Sequence, residues 1–408
     1  MTIADIVSLP ILSHQKLESR CPVCVCLTQI TTIADIPAIP VNSLLLYTTR
    51  SQALSAQRCA MHLGFCENCG HAFNLKFDSS LMEYSQHYDN SLHFSQRFQQ
   101  YAETLSHRLI ERHQLRHKTV VEIGCGKGDF IKLFCQLGNN SGIGFDPSYE
   151  PAPNQSETEN QVEFIQDFYS EHYASYDADL IICRQVLEHI LDLTTFLKEL
   201  RRTIEQRSDT VLYFEVPNMS FMMQELDIWN IFYEHYSYFT YSSLAYLFAN
   251  CGFIVHEIGE SFGRQFLYIE AKPAEEPRHL SSVPWIDPTQ TRNDVAGFAE
   301  RYHDRIETWR NQFKQIKRSG KKAVVWGAGA RGVTFLNTLG DEAHVEYVVD
   351  INPRKQGKYV AGTGQQIVSP EFLKDYQPDI VILMNPNYLS EIQAQVADLD
   401  LAPGFLCA

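Results

Sequence analysis

Across 408 residues the chain carries 34 Lys+Arg against 49 Asp+Glu, a formal charge of −15, with 44% hydrophobic and 20% charged residues. That length suits two or three domains with real cores, which excludes wholesale disorder, and the acidic balance argues against a dedicated nucleic-acid binder, which needs clustered Lys and Arg. No run of about 18 apolar residues is present and the N-terminal twenty lack a basic segment before an apolar one, so neither a membrane span nor a signal peptide is read and a cytoplasmic location is expected.

Eleven cysteines, an odd number, do not suggest a disulfide framework. Cys125, Cys135, Cys183, Cys251 and Cys407 are scattered through apolar stretches and are expected to be buried and inert, since a free cysteine packs as a small hydrophobe. Six others crowd the first 70 residues. Cys21-Pro22-Val23-Cys24 and Cys66-Glu67-Asn68-Cys69 form two C-x-x-C knuckles 41 residues apart, followed by Gly70, which suits the positive φ such turns require. Four thiolates at this spacing predict a closed, structural Zn²⁺ site on Cys21, Cys24, Cys66 and Cys69; redox-active thiols are the weaker reading. Cys26, Cys59, His62 and His71 could substitute as ligands and are read as bystanders.

Further along, residues 117–123 read as a buried strand leading into Gly124-Cys125-Gly126-Lys127-Gly128-Asp129, with helical periodicity from Phe130 onward. Strand, glycine loop and helix open a doubly wound sheet, where a backbone must approach a nucleotide-like ligand closely. The next strand, 142–145, ends at Asp146, 22 residues after Gly124, where an acid can accept ribose hydroxyls. Strands over 164–167, 179–183 and 211–214 follow, the second running into Arg184-Gln185-Val186-Leu187-Glu188-His189. Between Lys132 and Arg184 there is no Lys or Arg, and nine carboxylates fall from Asp146 to Asp179. Most of these read as a solvated face; Asp146 and Asp167, at strand ends, suit a cationic ligand. Segments 253–258 and 266–271 form a last strand pair. Between them and the fifth strand, Phe232-Tyr233-Glu234-His235-Tyr236-Ser237-Tyr238-Phe239 sets an acid and an imidazole among five rings, which suits either a core histidine or a general base poised near neutrality.

Residues 284–318 form a charged, mostly helical bridge. A strand over 322–326, Gly327-Ala328-Gly329-Ala330-Arg331-Gly332, a helix over 333–339, a strand over 345–349 and Asp350 then make a complete G-x-G-x-x-G with an acid 23 residues on. On its face this binds NAD. Its roughly 90 residues amount to half a dinucleotide fold, however, so the reading is a half-domain kept for packing or for gripping another phosphate-bearing ligand.

The Glu122-Ile123-Gly124-Cys125-Gly126-Lys127-Gly128-Asp129 segment resembles the first motif of class I S-adenosylmethionine-dependent methyltransferases. Together with the knuckles, the Tyr233-Glu234-His235-Tyr236 run and the terminal glycine loop ending in Val368-Ser369-Pro370-Glu371, the chain from Cys21 to about Ile392 is similar to the sugar C-methyltransferase family. The resemblance implies an α/β chain with a zinc-binding module over 1–83, a seven-stranded Rossmann-like methyltransferase core over 84–275, and a helical linker with a Rossmann-like half-domain over 276–408. It implies S-adenosylmethionine held by Glu122, Gly124, Gly126, Gly128, Asp146, Asp167 and Gln185. It also implies methylation at carbon 3 of a nucleotide-linked 4-keto-deoxysugar, with His235 as base, Glu234 as its orienting partner and His189 as a second active-site histidine. This chain departs from the family in having Phe232 where a tyrosine is usual and Tyr88-Asp89-Asn90-Ser91 in place of Y-H-S-S. Tyr84, Tyr88 or Tyr233 is expected to supply the missing hydroxyl, and Arg331 to reach the acceptor. The alternatives are methylation at oxygen or carbon of a different small metabolite, and a scaffold that binds the cofactor without turnover.

Overall fold

The computed structural model describes residues 16–82, 91–150, 161–204, 207–275 and 287–408. The N-terminal part is an antiparallel sheet of β1 (Lys16–Arg20), β2 (Leu27–Pro40), β3 (Arg58–Cys66) and β4 (Ala72–Asn74). Its far edge is completed by Ser237–Tyr238, which pair with Phe73 and Ala72 from more than 160 positions along the chain. The 1–83 segment therefore shares its sheet with the segment that carries His235.

The central sheet is built from β5 (Thr119–Ile123), β6 (Ser141–Phe145), β7 (Val162–Ile165), β8 (Leu180–Arg184) and β9 (Val211–Pro217). After β10 (Ser237–Tyr238), β11 (Phe253–Ser261) and β12 (Phe266–Pro273) close it, giving the order β11-β12-β9-β8-β5-β6-β7. Strands β7, β6, β5, β8 and β9 are parallel, while β12 pairs antiparallel with β9 and β11 with β12. This is the doubly wound sheet that the strand pattern predicts, with the seven strands that the methyltransferase resemblance implies. From β5 the chain winds outward through β6 and β7, then returns to β8 on β5's other side, so the crevice opens at the carboxyl ends of β5 and β8. Apart from half-buried Thr119 and Arg184 at their ends, both strands are buried and rich in Val and Ile, as a sheet covered on two faces demands.

The bridge predicted over 284–318 is two helices, Thr289–Val295 and Phe298–Arg318, broken at Gly297, whose φ of +72° a helix does not accept. The longer one buries Phe298, Tyr302, Ile306, Trp309 and Phe313 at helical spacing. Trp309 and Trp229 both meet the Phe335 ring edge-on, at 5.0 and 4.9 Å, so one core joins this helix, the N-terminal sheet and the C-terminal part. The C-terminal sheet is all parallel: β13 (Ala323–Trp326), β14 (Tyr347–Val349), β15 (Gln366–Val368), β16 (Ile380–Leu383) and β17 (Gly404–Cys407), in the order β15-β14-β13-β16-β17. The three- and four-residue strands β15 and β17 are too short to carry a periodic signal. Cys125, Cys135, Cys183 and Cys251 are buried as expected, but Cys407 is exposed, because β17 is an edge strand.

Polar contacts bolt the C-terminal part to the central sheet. Glu391 accepts from Ser95 Oγ (2.6 Å) and Gln96 N (2.9 Å) at the start of the Gln96–His113 helix. Gln265 and Asn385 exchange amide hydrogen bonds at 2.9 and 2.8 Å. Among the described residues no helix is long and apolar enough to cross a membrane.

Candidate active site and metal centre

The glycine loop after β5 turns through three positive φ angles: Gly124 (+73°), Gly126 (+56°) and Gly128 (+80°). A Cβ at Gly124 would lie 2.2 Å from Val186 Cγ2 and one at Gly128 2.4 Å from the Phe164 ring, so these two are fixed by packing. Gly126 faces open space, and there the loop offers its backbone to the crevice. Asp146 accepts from Gly126 N at 2.8 Å with one oxygen and from Ser148 N and Oγ (2.8 and 2.6 Å) with the other, tying β6 to the loop. Glu122 is 3% exposed, its Oε2 has no hydrogen-bond partner among the described residues, and burial pushes its pKa up to about 7. Asp167 stands on the exposed rim, held below the usual carboxylate range by the Tyr173 hydroxyl (2.6 Å) and Phe168 N. Gln185, at φ +57°, follows β8 and donates to Glu215 Oε1 at 3.4 Å. Glu122, Gly124, Gly126, Asp146, Asp167, Gln185 and His189 all line this one crevice; Gly128 supports it from behind.

A second cavity meets the first at Ser91, Leu92, Gln185 and His189. On its methyltransferase side stand Glu188, His189, Phe232 and His235; on its far side stand Gly327, Gly329, Arg331, Asp350 and Lys355. His235 is 5% exposed and lies against Phe232 (ring centroids 3.9 Å) and His189 (5.0 Å). Burial holds its pKa well below the usual imidazole value, and His189 adds to that. His189 is fixed by its Nδ1, which donates to Glu234 O at 2.9 Å; burial lowers its pKa to about 4.

Two expected placements are corrected. The Glu234 carboxylate, fully buried, accepts from Ser43 N in the N-terminal part, and the acid within reach of His235 is Glu188, its Oε1 3.9 Å from Nε2. The turn closed by His235 N and Phe232 O (3.2 Å) sends the side chains of residues 234 and 235 to different partners. Tyr233 does not line the cavity: its hydroxyl accepts from Asp78 N (2.9 Å), donates to Lys76 O (3.4 Å), and its ring stacks on Phe77. Tyr84 and Tyr88 lie outside the described residues. Arg331 does reach the cavity, pairing with Asp227 (2.9 Å) and Gln265 (3.3 Å) while its buried Nη1 has no hydrogen-bond partner among the described residues. Glu188 and Lys355 are the functional candidates that sequence reasoning passed over. Glu188 sits in the very run that singled out His189, and only the fold brings it to His235.

Cys21, Cys24, Cys66 and Cys69 converge, with Sγ–Sγ distances of 3.6 Å (Cys21–Cys69) and 3.8 Å (Cys24–Cys66). A tetrahedron of sulfurs about 2.3 Å from a central Zn²⁺ has edges of about 3.8 Å, so the donor set fits. His62 pairs with Asp35 (2.6 Å), His71 with Ser237 (3.2 Å), and Cys26 bonds Cys24 O (3.3 Å).

Two family models match this chain: a methyltransferase domain over residues 93–258 and a C-methyltransferase C-terminal domain over residues 288–405. The chain is similar to C-methyltransferases. It is an S-adenosylmethionine-dependent methyltransferase. It is 28% identical over 286 residues to the C-methyltransferase NovU of Streptomyces niveus, a match covering 67% of each chain. A shorter match, 31% over 117 residues, covers 26% of this chain and 37% of the tRNA U34 carboxymethyltransferase of Nautilia profundicola. Among solved structures, magnesium protoporphyrin IX methyltransferase from Synechocystis PCC 6803 with bound SAH aligns at 18% identity and TM-score 0.35, over 46% of this chain and 91% of that one. At that score the fold assignment rests on strand order and the family models. The C-terminal model covers the G-x-G-x-x-G, so that loop belongs to the methyltransferase and not to a separate dehydrogenase.

Proposed function

We propose that this methyltransferase acts on carbon of a nucleotide-linked keto-deoxysugar, with His235 as the base. The observation that carries the reading is the shared cavity: one space is lined by His235 and His189 at one end and by the Gly327–Gly332 loop at the other. A molecule with its reacting carbon at His235 would set a phosphate tail against that loop. The loop suits an anion. It leads into the Ala330–Leu339 helix, whose N-terminus favours negative charge, and Gly329 leaves open space beside it. A Cβ at Gly332 would lie 2.1 Å from Gly327 O, so the close backbone approach depends on glycine there. Arg331 and Lys355 stand at that end, paired with Asp227 (2.9 Å) and Asp350 (3.8 Å), and the unpartnered Arg331 Nη1 is a donor for an arriving anion.

S-adenosylmethionine supplies an electrophilic methyl group when bound. Toward it, Glu122 offers a buried carboxylate oxygen suited to the ammonium, Asp146 its remaining lone pairs to the ribose, and Asp167 a rim carboxylate to the adenine end. His235 takes the proton next to the acceptor's keto group, leaving the electron pair as an enolate on the acceptor. Phe232 and the neighbouring rings exclude water from that proton transfer, and holding both partners across the Gln185–His189 junction supplies proximity. Zn²⁺ on the four cysteines is structural: a Cys₄ set leaves no open position.

Nucleotide 4-keto sugars incubated with enzyme and S-adenosylhomocysteine in D₂O test this reading by mass spectrometry at C3, followed by methylation with S-adenosylmethionine. Exchange and a C-methylated product are expected. No exchange and no product across the panel would leave a different small metabolite as the acceptor.

A further inference from the structure

The acid beside His235 has an unusual setting. Glu188 is 1% exposed, in the Leu187–His189 turn after β8, and neither carboxylate oxygen has a hydrogen-bond partner among the described residues. A buried carboxyl without donors is costly to hold, so a side chain kept in that state is held for something that arrives during the reaction. The group it faces is His235 Nε2, at 3.9 Å, too far for a hydrogen bond at rest and close enough to become one with a small movement. Glu188 also lines the acceptor cavity, whereas the Glu234 carboxylate is engaged by Ser43 N.

We propose that Glu188 is the positioning residue for His235, its carboxylate receiving the imidazolium that forms when His235 takes the acceptor's proton. The inference rests on His235 being the base. In the step, the acceptor C–H bond breaks, its proton passes to His235 Nε2 and its electron pair stays on the acceptor. The positive charge so formed on the ring lies beside Glu188 Oε1. The carbon–carbon bond to the incoming methyl forms as the sulfur–methyl bond breaks, and the proton on His235 leaves to solvent with product. His189 cannot take this part: its Nδ1 is committed to Glu234 O, and a second imidazole beside an imidazolium repels it once charged.

The test reads the ring itself and needs no acceptor. Full-length protein carrying ¹³C-labelled histidine is titrated by NMR, with the His235 signal identified by its loss in His235→Asn. In the parent the His235 ring signal carries an inflection where the adjoining Glu188 ionises, and Glu188→Gln removes it while Glu188→Asp keeps it at a displaced pH. Glu234→Gln leaves that inflection in place. Absence of the inflection in the parent, or its persistence unchanged in folded Glu188→Gln, overturns the proposal. So does metal analysis finding two zinc equivalents per chain with one lost in Glu188→Gln, because Glu188, His189 and His235 have ligand atoms within 4.8 Å of one another and would then be a metal site. Failure of the acceptor panel leaves these outcomes readable.

Discussion

His189 Nδ1 donates to the main-chain oxygen of Glu234 at 2.9 Å, joining the turn after β8 to the aromatic turn that carries His235. The bond leaves Nε2 of the neutral ring as an acceptor at the place where the two cavities meet. His189→Ala frees that turn and should lower turnover by about 10- to 100-fold while cofactor affinity changes less, as steady-state kinetics and calorimetry together would show.

The pH profile should be set by Glu188. Burial raises its carboxyl to about 8, with Glu215 contributing, and His235 and His189 are the titratable rings beside it. Only ionised Glu188 stabilises an imidazolium, so kcat/KM should rise with pH and level off near 8, falling about tenfold per pH unit below that. His189, at about 4, and His235, held well below the usual imidazole value by burial, are neutral where that limb falls. In Glu188→Gln the limb near 8 should vanish along with most of the rate.

Cofactor affinity should follow Glu122. Its carboxyl, pushed up to about 7, must ionise to hold an ammonium, so S-adenosylmethionine should bind more tightly as pH rises through 7. Glu122→Gln should weaken binding by about 10-fold or more and flatten that dependence, while Asp146→Ala should weaken it at every pH. Calorimetry between pH 6 and 8 reads both.

Much of this site is legible in the sequence, and the failures have a common cause. The two glycine loops announce themselves because their backbones need positive φ or contacts that a Cβ would block, which restricts the residue type directly. The cysteine knuckles do so because a C-x-x-C turn aims both sulfurs one way. The partner of His235 is hidden because sequence adjacency nominates Glu234, whereas the turn sends that side chain to Ser43 and the sheet delivers Glu188 from β8. Tyr233 is nominated for a hydroxyl that Asp78 N and Lys76 O already occupy. The two-residue strand that sews the His235 segment into the N-terminal sheet has no period to detect.

That seam makes the cysteine centre matter to catalysis at a distance. Ser43 N holds Glu234 and Asp78 N holds Tyr233, so loosening the N-terminal sheet releases the turn that carries His235. Metal analysis should find one zinc per chain. Cys66→Ser should lose it, lower the melting temperature and reduce turnover, although none of the four clustered cysteines lines either cavity.

At the other end of the acceptor cavity, Arg331→Gln should raise KM for a nucleotide-linked acceptor by about 10-fold with little change in kcat, since it removes binding remote from the reacting carbon. S-adenosylmethionine affinity should stay as in the parent. An equal loss in kcat would place Arg331 at the chemistry instead.

The most direct measurement is deuterium uptake at C3 of a nucleotide 4-keto sugar, in D₂O with S-adenosylhomocysteine, comparing the parent enzyme with His235→Asn. The parent should exchange one hydrogen, and His235→Asn should do so about 10²- to 10⁴-fold more slowly with S-adenosylhomocysteine binding intact. Equal exchange by the two proteins would contradict His235 as the base.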